Sequence, residues 1–268
     1  MDILNKIIDF YTYVDRINES SQVQDWPIVR SLYPTLSLCI FYLIFVCTFG
    51  LRIMKNFEPF QLKWILVVYN AFITVLNLHI FLELLLGMID ANYSWPCQPI
   101  RSTDDPKELR IASALWWYYI SKLIEFLDTV FFVLRKKDSQ LTFLHIYHHS
   151  TMPILWWIGI KWVPGGSSAH AAILNAFIHI IMYFYYGMAA LGPQYQKYLW
   201  WKKYLTQMQL IQFTIALVMG CLIINMDCDF PRWMSWALVF YMSSFLILFS
   251  NFYIQAYIKR VSSKKKVT

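Results

Sequence analysis

The sequence predicts an all-α membrane protein with seven transmembrane helices, and three observations support this fold class. Hydrophobic residues make up 58% of the chain and the mean hydropathy is +0.44, whereas soluble domains contain roughly 45 to 50% apolar residues. Alternating segments of about ten residues, which a β-barrel needs, are absent from the sequence. Seven apolar runs approach the ~20 residues that cross a bilayer as a helix: 33–51, 64–89, 111–134, 139–160, 168–191, 204–225 and 234–257.

Residues 1–32 precede the first span, and we expect no cleavable signal peptide there because acidic residues interrupt any apolar core. Apolar residues recur at helical spacing, which predicts a short helix lying in the membrane interface: Ile3, Ile7, Phe10, Tyr11 and Val14. With a membrane region over 33–257 and a basic tail over 258–268, we expect one domain across 1–268.

Charge in the connecting segments predicts the orientation. Four segments on one side, 52–63, 135–138, 192–203 and 258–268, hold 14 Lys and Arg against 2 acidic residues. The N-terminal segment and the loops on the other side hold 8 basic residues against 11 acidic ones. Because basic segments stay in the cytosol, the C-terminus is expected there and the N-terminus in the lumen.

Short motifs agree with a location in the endoplasmic reticulum membrane. Lys265 and Lys266 near the C-terminus resemble a dilysine retrieval signal, which has to be cytosolic. Asn18 and Asn92 begin sequons, and both fall on the lumenal side, so both are candidate glycosylation sites. Cys97 and Cys228 lie in lumenal loops, and because that compartment is oxidising we predict a disulfide between them.

Three histidines, His145, His148 and His149, fall inside the fourth apolar run. An ionisable side chain in hydrocarbon is costly, so such residues usually face the interior of a bundle and have a function. Positions i, i+3 and i+4 share one face of a helix. Counted at 1.5 Å per residue from the basic end of each span, His148 and His179 both lie roughly 16 to 18 Å deep. Asn175 is one turn from His179 on the same face.

Two further spans bring polar side chains to this depth. The third span carries Lys122, Glu125 and Asp128, and the sixth carries Gln209 and Gln212. The alternative is that these residues only hold helices together, at about 0.6 kcal/mol each. The histidines are less well explained in that way, so a buried catalytic layer is the main hypothesis.

Four blocks of the sequence resemble the signature blocks of the very-long-chain fatty-acid elongases, in the same order and spacing. They are KLIEFLDTVFFVLRKK (122–137), LHIYHHS (144–150), NAFIHIIMYFYYG (175–187) and KYLWWKKYLTQMQLIQF (197–213). The resemblance extends from the first span to the tail and is strongest to the branch that acts on very long saturated and polyunsaturated chains. It implies a single elongase domain.

The resemblance implies condensation of a long-chain acyl-CoA with malonyl-CoA to a 3-oxoacyl-CoA two carbons longer, with release of CO2 and CoA. Neutral imidazole is a competent nucleophile toward a thioester. His148 is the expected acyl acceptor. Asp128 and Asn175 are expected to orient the imidazoles, His145 and His149 to move protons, and His179 to assist decarboxylation or to stabilise the enolate.

The same resemblance implies an acyl tunnel that is enclosed by the seven helices and opens to the cytosol. CoA would lie at the basic mouth of this tunnel. The expected substrate-binding residues are Lys122, Glu125, Lys137, Tyr185, Tyr186, Lys202, Lys203, Gln209 and Gln212. Expected partners are acyl-CoA, malonyl-CoA, membrane lipid, other enzymes of the elongation cycle and a second copy of the chain; nucleic acid is not expected.

Three alternatives stay open at this point. A di-iron desaturase or hydroxylase also uses HxxHH boxes but needs about eight histidines, and this chain has six. A mononuclear zinc site on the clustered histidines is the second, although we expect no metal and no other resident cofactor. A seven-helix receptor or a transporter is the third, but neither explains why four histidines share one layer beneath a basic mouth.

Overall fold

The computed structural model describes residues 22–259 and the isolated positions 5, 8, 9 and 12. Within these residues the chain consists of helices and turns without a strand, which confirms the all-α prediction. Asn18, Lys265 and Lys266 lie outside the described residues, as do the five apolar residues on which the interfacial helix is predicted.

Eight helices make up most of the described chain. They are α1 (Tyr33–Met54), α2 (Lys63–Asp90), α3 (Pro106–Ile124), α4 (Phe126–Leu134), α5 (Phe143–Trp162), α6 (Ser168–Ala190), α7 (Lys202–Asn225) and α8 (Arg232–Lys259). Helices α1 and α8 each include a π-helical turn, over Phe45–Phe49 and Ile254–Lys259. Short 3-10 turns cover Gln22–Asp25, Asp138–Gln140 and Pro193–Tyr198.

Five of these helices, α1, α2, α6, α7 and α8, are long and apolar enough to cross a membrane. They coincide with five of the seven predicted spans, and they make the chain a multi-pass membrane protein. The other two predicted spans, 111–134 and 139–160, fall on α3 with α4 and on α5. These helices carry the charged residues and the three histidines, which lowers their hydropathy.

The predicted third span is interrupted at Glu125, where α3 ends and α4 begins. The amide of Asp128 donates to the carbonyl oxygen of Glu125 at 3.1 Å, an i to i−3 bond that tightens the chain locally. Across the same turn, Lys122 Nζ lies 2.7 Å from Glu125 Oε1. The interruption therefore lies at the buried ion pair of this helix.

Six of the helices form a closed ring. In order around the ring, α2 packs against α3, α3 against α5, α5 against α8, α8 against α7, α7 against α6, and α6 against α2 again. Helix α1 lies outside the ring, where it packs against α5 and α4. The ring therefore separates an interior from an outer surface.

The two ends of the ring differ in chemistry. At one end the helices finish beside Arg135, Lys136, Lys137, Lys202 and Lys203, and we call this the basic end. At the other end the loops after α2, α5 and α7 meet, and we call this the disulfide end.

The structure pairs Cys97 with Cys228, with their Cα atoms 6.1 Å apart, and this is the pairing that the sequence predicts. The same loops exchange hydrogen bonds, because the Gln98 amide donates to Ser167 Oγ at 2.8 Å. Beside them His170 is only 3% exposed. The position of His170 near a loop boundary predicts a solvated surface residue, and this prediction is wrong because the loops cover the side chain.

Removal of the disulfide is expected to lower stability. The bond links residues 131 positions apart, and loss of a native disulfide typically costs about 2 to 5 kcal/mol because the unfolded chain gains freedom. A Cys97→Ser variant should therefore unfold at a lower temperature in detergent than the parent protein. Cys221→Ser, which removes an exposed free cysteine, is the matched control. Equal unfolding temperatures for both variants would contradict a structural disulfide.

Candidate functional site

The four histidines of the predicted layer lie together. Helix α5 begins after Thr142, whose Oγ1 accepts from the His145 amide, so the histidine triplet occupies the first two turns. The ring centroids of His145 and His149 are 4.2 Å apart, and those of His148 and His149 are 4.9 Å apart. From α6, the ring of His179 faces His148 at 6.4 Å. Helical spacing and helix packing together build one imidazole cluster.

A buried ion pair from α3 supports His179. Lys122 and Glu125 are each 1% exposed. Lys122 Nζ lies 2.7 Å from Glu125 Oε1, 3.1 Å from His179 Nδ1 and 4.6 Å from the centre of the Tyr118 ring. His179 Nδ1 is also 3.2 Å from Glu125 Oε1. A desolvated ammonium and carboxylate are thus in direct contact with the imidazole that faces His148.

The other imidazoles have hydroxyl neighbours that sequence reasoning missed. Thr129 Oγ1 lies 2.8 Å from His145 Nε2, and Tyr42 from α1 lies 2.9 Å from the same hydroxyl. Thr129 directly follows Asp128 in the 122–137 block, so its position carried a signal. Tyr42 carried none, since it lies in an apolar run about 100 residues from the histidines.

Asp128 and Asn175 make their hydrogen bonds to tyrosines. Asp128 Oδ2 accepts from the Tyr183 hydroxyl, and Asn175 Oδ1 accepts from the Tyr118 hydroxyl, each at 2.5 Å. Both residues are within the polar layer, but these side-chain hydrogen bonds go to phenols. The group beside His145 is the hydroxyl of Thr129.

An elongated cavity of about 380 Å³ begins at His148 and is bounded by α3, α5, α6, α7 and α8. Beside His148 its polar wall is formed by Tyr118, Asn175 and Gln212. Further along, the walls are largely apolar, and the far end lies at the disulfide end among Trp162, Phe230, Trp233 and Ser235. The 14 residues of α5 between His148 and Trp162 rise by roughly 21 Å. The cavity suits a long apolar chain whose polar head lies at the histidines.

The residues predicted to bind CoA are divided between surface and interior. Lys137, Lys202 and Lys203 are exposed at the basic end, and Lys203 Nζ lies 5.8 Å from the Tyr253 ring. Tyr186 is 42% exposed, whereas Tyr185 is buried with its ring against Trp201. The structure therefore leaves three cations and one phenol accessible to an anionic ligand.

The two glutamines of α7 differ in the same way. Gln209 donates to the sulfur of Met182 at 3.5 Å and does not line the cavity. Gln212 is buried and lines the cavity next to His148. Only Gln212 of this pair can therefore contact a ligand in the cavity directly.

Over residues 22–259 and the four isolated positions, no group of three or more His, Cys, Asp or Glu side chains has the arrangement of a metal site.

Comparison with known proteins gives consistent matches along most of the chain. The model of the family described as ELO: GNS1/SUR4 matches residues 27–265. The human protein named very long chain fatty acid elongase 4 is 52% identical over 254 residues, which is 95% of this chain and 80% of the relative. The mouse protein of the same name is 50% identical over 260 residues, 97% of this chain and 83% of the relative.

A second group of relatives is slightly more distant. The protein named very long chain fatty acid elongase 5 from Tachysurus fulvidraco is 45% identical over 245 residues, which cover 91% of this chain and 82% of the relative. The match includes the regions that carry the histidine cluster, the ion pair and the cavity walls.

Proposed function

The chain belongs to the GNS1/SUR4 (ELO) family and is a fatty acid elongase, and from this membership we propose that it catalyses the condensing step of elongation. A long-chain acyl-CoA and malonyl-CoA would give a 3-oxoacyl-CoA two carbons longer, CO2 and CoA. The enzyme is then a very-long-chain 3-oxoacyl-CoA synthase, an acyltransferase.

The lining of the cavity distinguishes His148 from the other clustered histidines. Of the four clustered histidines, His148 alone lines the cavity. Its ring nitrogens make no hydrogen bond within the described residues, so a lone pair is available. Neutral imidazole attacks thioesters readily. We therefore assign His148 as the acyl acceptor.

In the first half-reaction, an imidazole nitrogen of His148 bonds to the thioester carbonyl carbon. The carbon–sulfur bond breaks, and CoA leaves as a thiolate. The proton lost from the acylated imidazole neutralises this thiolate, so the products are acyl-imidazole and CoA thiol. This proton is relayed by His149 and His145. The ring centroid of His149 lies 4.9 Å from that of His148 and 4.2 Å from that of His145.

In the second half-reaction, malonyl-CoA loses CO2 and becomes an enolate, whose carbon attacks the acyl carbon. The carbon–nitrogen bond to His148 breaks, and the leaving imidazole nitrogen takes up one proton from solvent, which is the proton that the overall condensation consumes. The rings of His148 and His179 are 6.4 Å apart by centroid, so both can contact the acyl and malonyl groups that react beside them. With Nδ1 facing the ammonium of Lys122, His179 can donate from Nε2 to the enolate oxygen.

The cavity would hold the acyl tail, and the basic end would hold CoA. Transfer of an alkyl chain from water to a position between apolar walls is favourable by about 0.8 kcal/mol per buried CH2. At the basic end, the CoA phosphates would accept charge-assisted hydrogen bonds from Lys137, Lys202 and Lys203. The ring of Tyr186 would contact the nucleotide or the pantetheine. Asn175 and Gln212 line the cavity with His148, and we propose that they contact the thioester end.

We propose that the chain spans the endoplasmic reticulum membrane seven times, with the basic end in the cytosol and the disulfide end in the lumen. In this topology α3 and α4 together form one span and α5 forms another. The positive-inside rule and the oxidised cysteine pair agree on this orientation. Asn92 is exposed at the disulfide end and remains a candidate for glycosylation. Other elongation enzymes, or a second copy, are the expected protein partners.

We also propose that the reaction uses no resident cofactor. The basis is the chemistry of the donor set: a di-iron centre needs about two more histidines than the six in the chain, and imidazole itself can carry the acyl group. Elemental analysis of purified, active protein should find neither iron nor zinc in a stoichiometric amount. Recovery of activity only on addition of either metal would contradict this proposal.

The decisive experiment uses purified protein, labelled malonyl-CoA and a panel of acyl-CoA chain lengths. We expect CO2 and 3-oxoacyl-CoA to form in equal amounts. The rate should be highest for acyl chains whose length fits the cavity. If no acyl-CoA in the panel supports CO2 release or product formation, the proposed condensation is wrong.

A further inference from the structure

Helix α1 lies outside the ring, yet one of its side chains reaches the histidine cluster. Tyr42 is 3% exposed, and its ring stacks on Phe126 with centroids 4.4 Å apart. Its hydroxyl lies 2.9 Å from Thr129 Oγ1, which in turn lies 2.8 Å from His145 Nε2. A chain of three polar groups thus connects the outer helix to an imidazole of the active site.

Counting hydrogens along this chain gives its direction. Each of the two hydroxyls has one hydrogen to donate, and neither makes another hydrogen bond within the described residues. If Tyr42 donates to Thr129 and Thr129 donates to His145 Nε2, every hydrogen has an acceptor. In the reverse direction the hydrogen of the buried Tyr42 hydroxyl has none, and an unpaired buried donor costs more than an average hydrogen bond contributes.

The protonation state of His145 supports the same direction. A charged imidazole inside the membrane is costly. Among the described histidines, His179 contacts the carboxylate of Glu125, whereas His145 contacts no carboxylate. Neutral His145 therefore has one proton, and the Thr129 hydroxyl determines which nitrogen holds it.

We infer that Tyr42 is a positioning residue that acts through Thr129 to hold His145 as the Nδ1–H tautomer. With Nε2 occupied as an acceptor, the polar group that His145 can offer to the cluster is an N–H. Its ring lies 4.2 Å from that of His149 by centroid, so this donor belongs to the layer in which the acyl group is transferred. In the proton relay His145 therefore gives its Nδ1 proton before it accepts one. The role in catalysis rests on the proposed function, but the tautomer does not.

The chain contains a matched control for this inference. Tyr119 of α3 is buried, and its hydroxyl is hydrogen-bonded to Thr35 of α1. Tyr42→Phe and Tyr119→Phe therefore remove the same atom from the same kind of tyrosine–threonine contact with α1. Only the contact of Tyr42 continues to a histidine.

The test measures the imidazole 15N spectrum of histidine-labelled protein in detergent, in which the His145 signals are assigned by their loss in His145→Gln. We expect parent protein and Tyr119→Phe to show Nδ1 protonated and Nε2 unprotonated. In Tyr42→Phe the Thr129 oxygen loses its donor, so Thr129 can turn its own hydrogen to a backbone carbonyl of the preceding turn and accept from His145, and the Nε2–H tautomer should appear. Thr129→Ser should keep the parent pattern, and Thr129→Val should lose it.

Activity provides the second readout. Tyr42→Phe should lower kcat about fivefold to tenfold, the size of one hydrogen bond, with KM for both substrates unchanged, while Tyr119→Phe keeps the parent kcat. An unchanged His145 spectrum in Tyr42→Phe, or an equal loss of kcat in the two variants, would overturn the inference. Neither result would affect the proposed condensation, which fails only if the parent protein does not elongate.

Discussion

Replacement of His148 with alanine should lower elongation by roughly three to six orders of magnitude, the range seen when a nucleophile is removed. The imidazole is the only one of the cluster that faces the cavity, and without it the acyl group has no acceptor. The measurement is single turnover of purified protein with labelled acyl-CoA, followed by detection of label on the acid-quenched protein. The parent should carry label and the variant none.

His79→Ala is the matched control, because His79 is exposed on α2 and outside the cluster. This variant should elongate at the parent rate and trap label normally. If His148→Ala kept normal turnover, or if it still trapped the acyl group, the acyl-imidazole mechanism would be wrong even though the enzyme remained an elongase.

Lys122→Met should affect both stability and catalysis. The Lys122–Glu125 pair is almost fully buried, and removal of one member of such a pair typically costs about 3 to 5 kcal/mol because a charge is left without compensation. The variant should therefore unfold at a clearly lower temperature in detergent. It should also lose malonyl-CoA decarboxylation, because His179 loses its cationic neighbour.

A double variant separates the two effects. Lys122→Met with Glu125→Gln removes both charges, so it should recover much of the stability without recovering CO2 release. Arg110→Met is the control for loss of ion pairs, since the pairs of Arg110 with Glu83 and Asp90 are partly exposed and such pairs contribute about 1 kcal/mol or less each. A double variant with parent activity would show that Lys122 and Glu125 act only in folding.

Much of the candidate site is predictable from local spacing. One helix face carries His145, His148 and His149 whatever the tertiary arrangement. The number of residues from the basic end of each span predicts that His179 lies at the same depth. The resemblance of the four blocks to the elongase family is the basis for the chemistry proposed for them. The cysteine pairing is predictable because the charge of the loops predicts that both cysteines lie on the same side of the membrane.

Other parts of the site are not predictable in this way. Asp128 and Asn175 have the right depth, yet the structure gives each a tyrosine as its hydrogen-bond partner. The third span looks continuous in hydropathy, but it is interrupted at Glu125, where Lys122 and Glu125 pair. Hydropathy averages over a window and does not detect a single tightened turn.

Periodicity within one helix establishes which residues share a face, because backbone geometry sets the angle between successive side chains. For this reason the sequence establishes the membrane class and the histidine triplet. The rotation of each helix about its axis and the choice of its neighbours depend on how side chains from distant segments fit together. The contact of His148 with the cavity, the Lys122–His179 contact and the link from Tyr42 through Thr129 to His145 therefore emerge only from the packed ring.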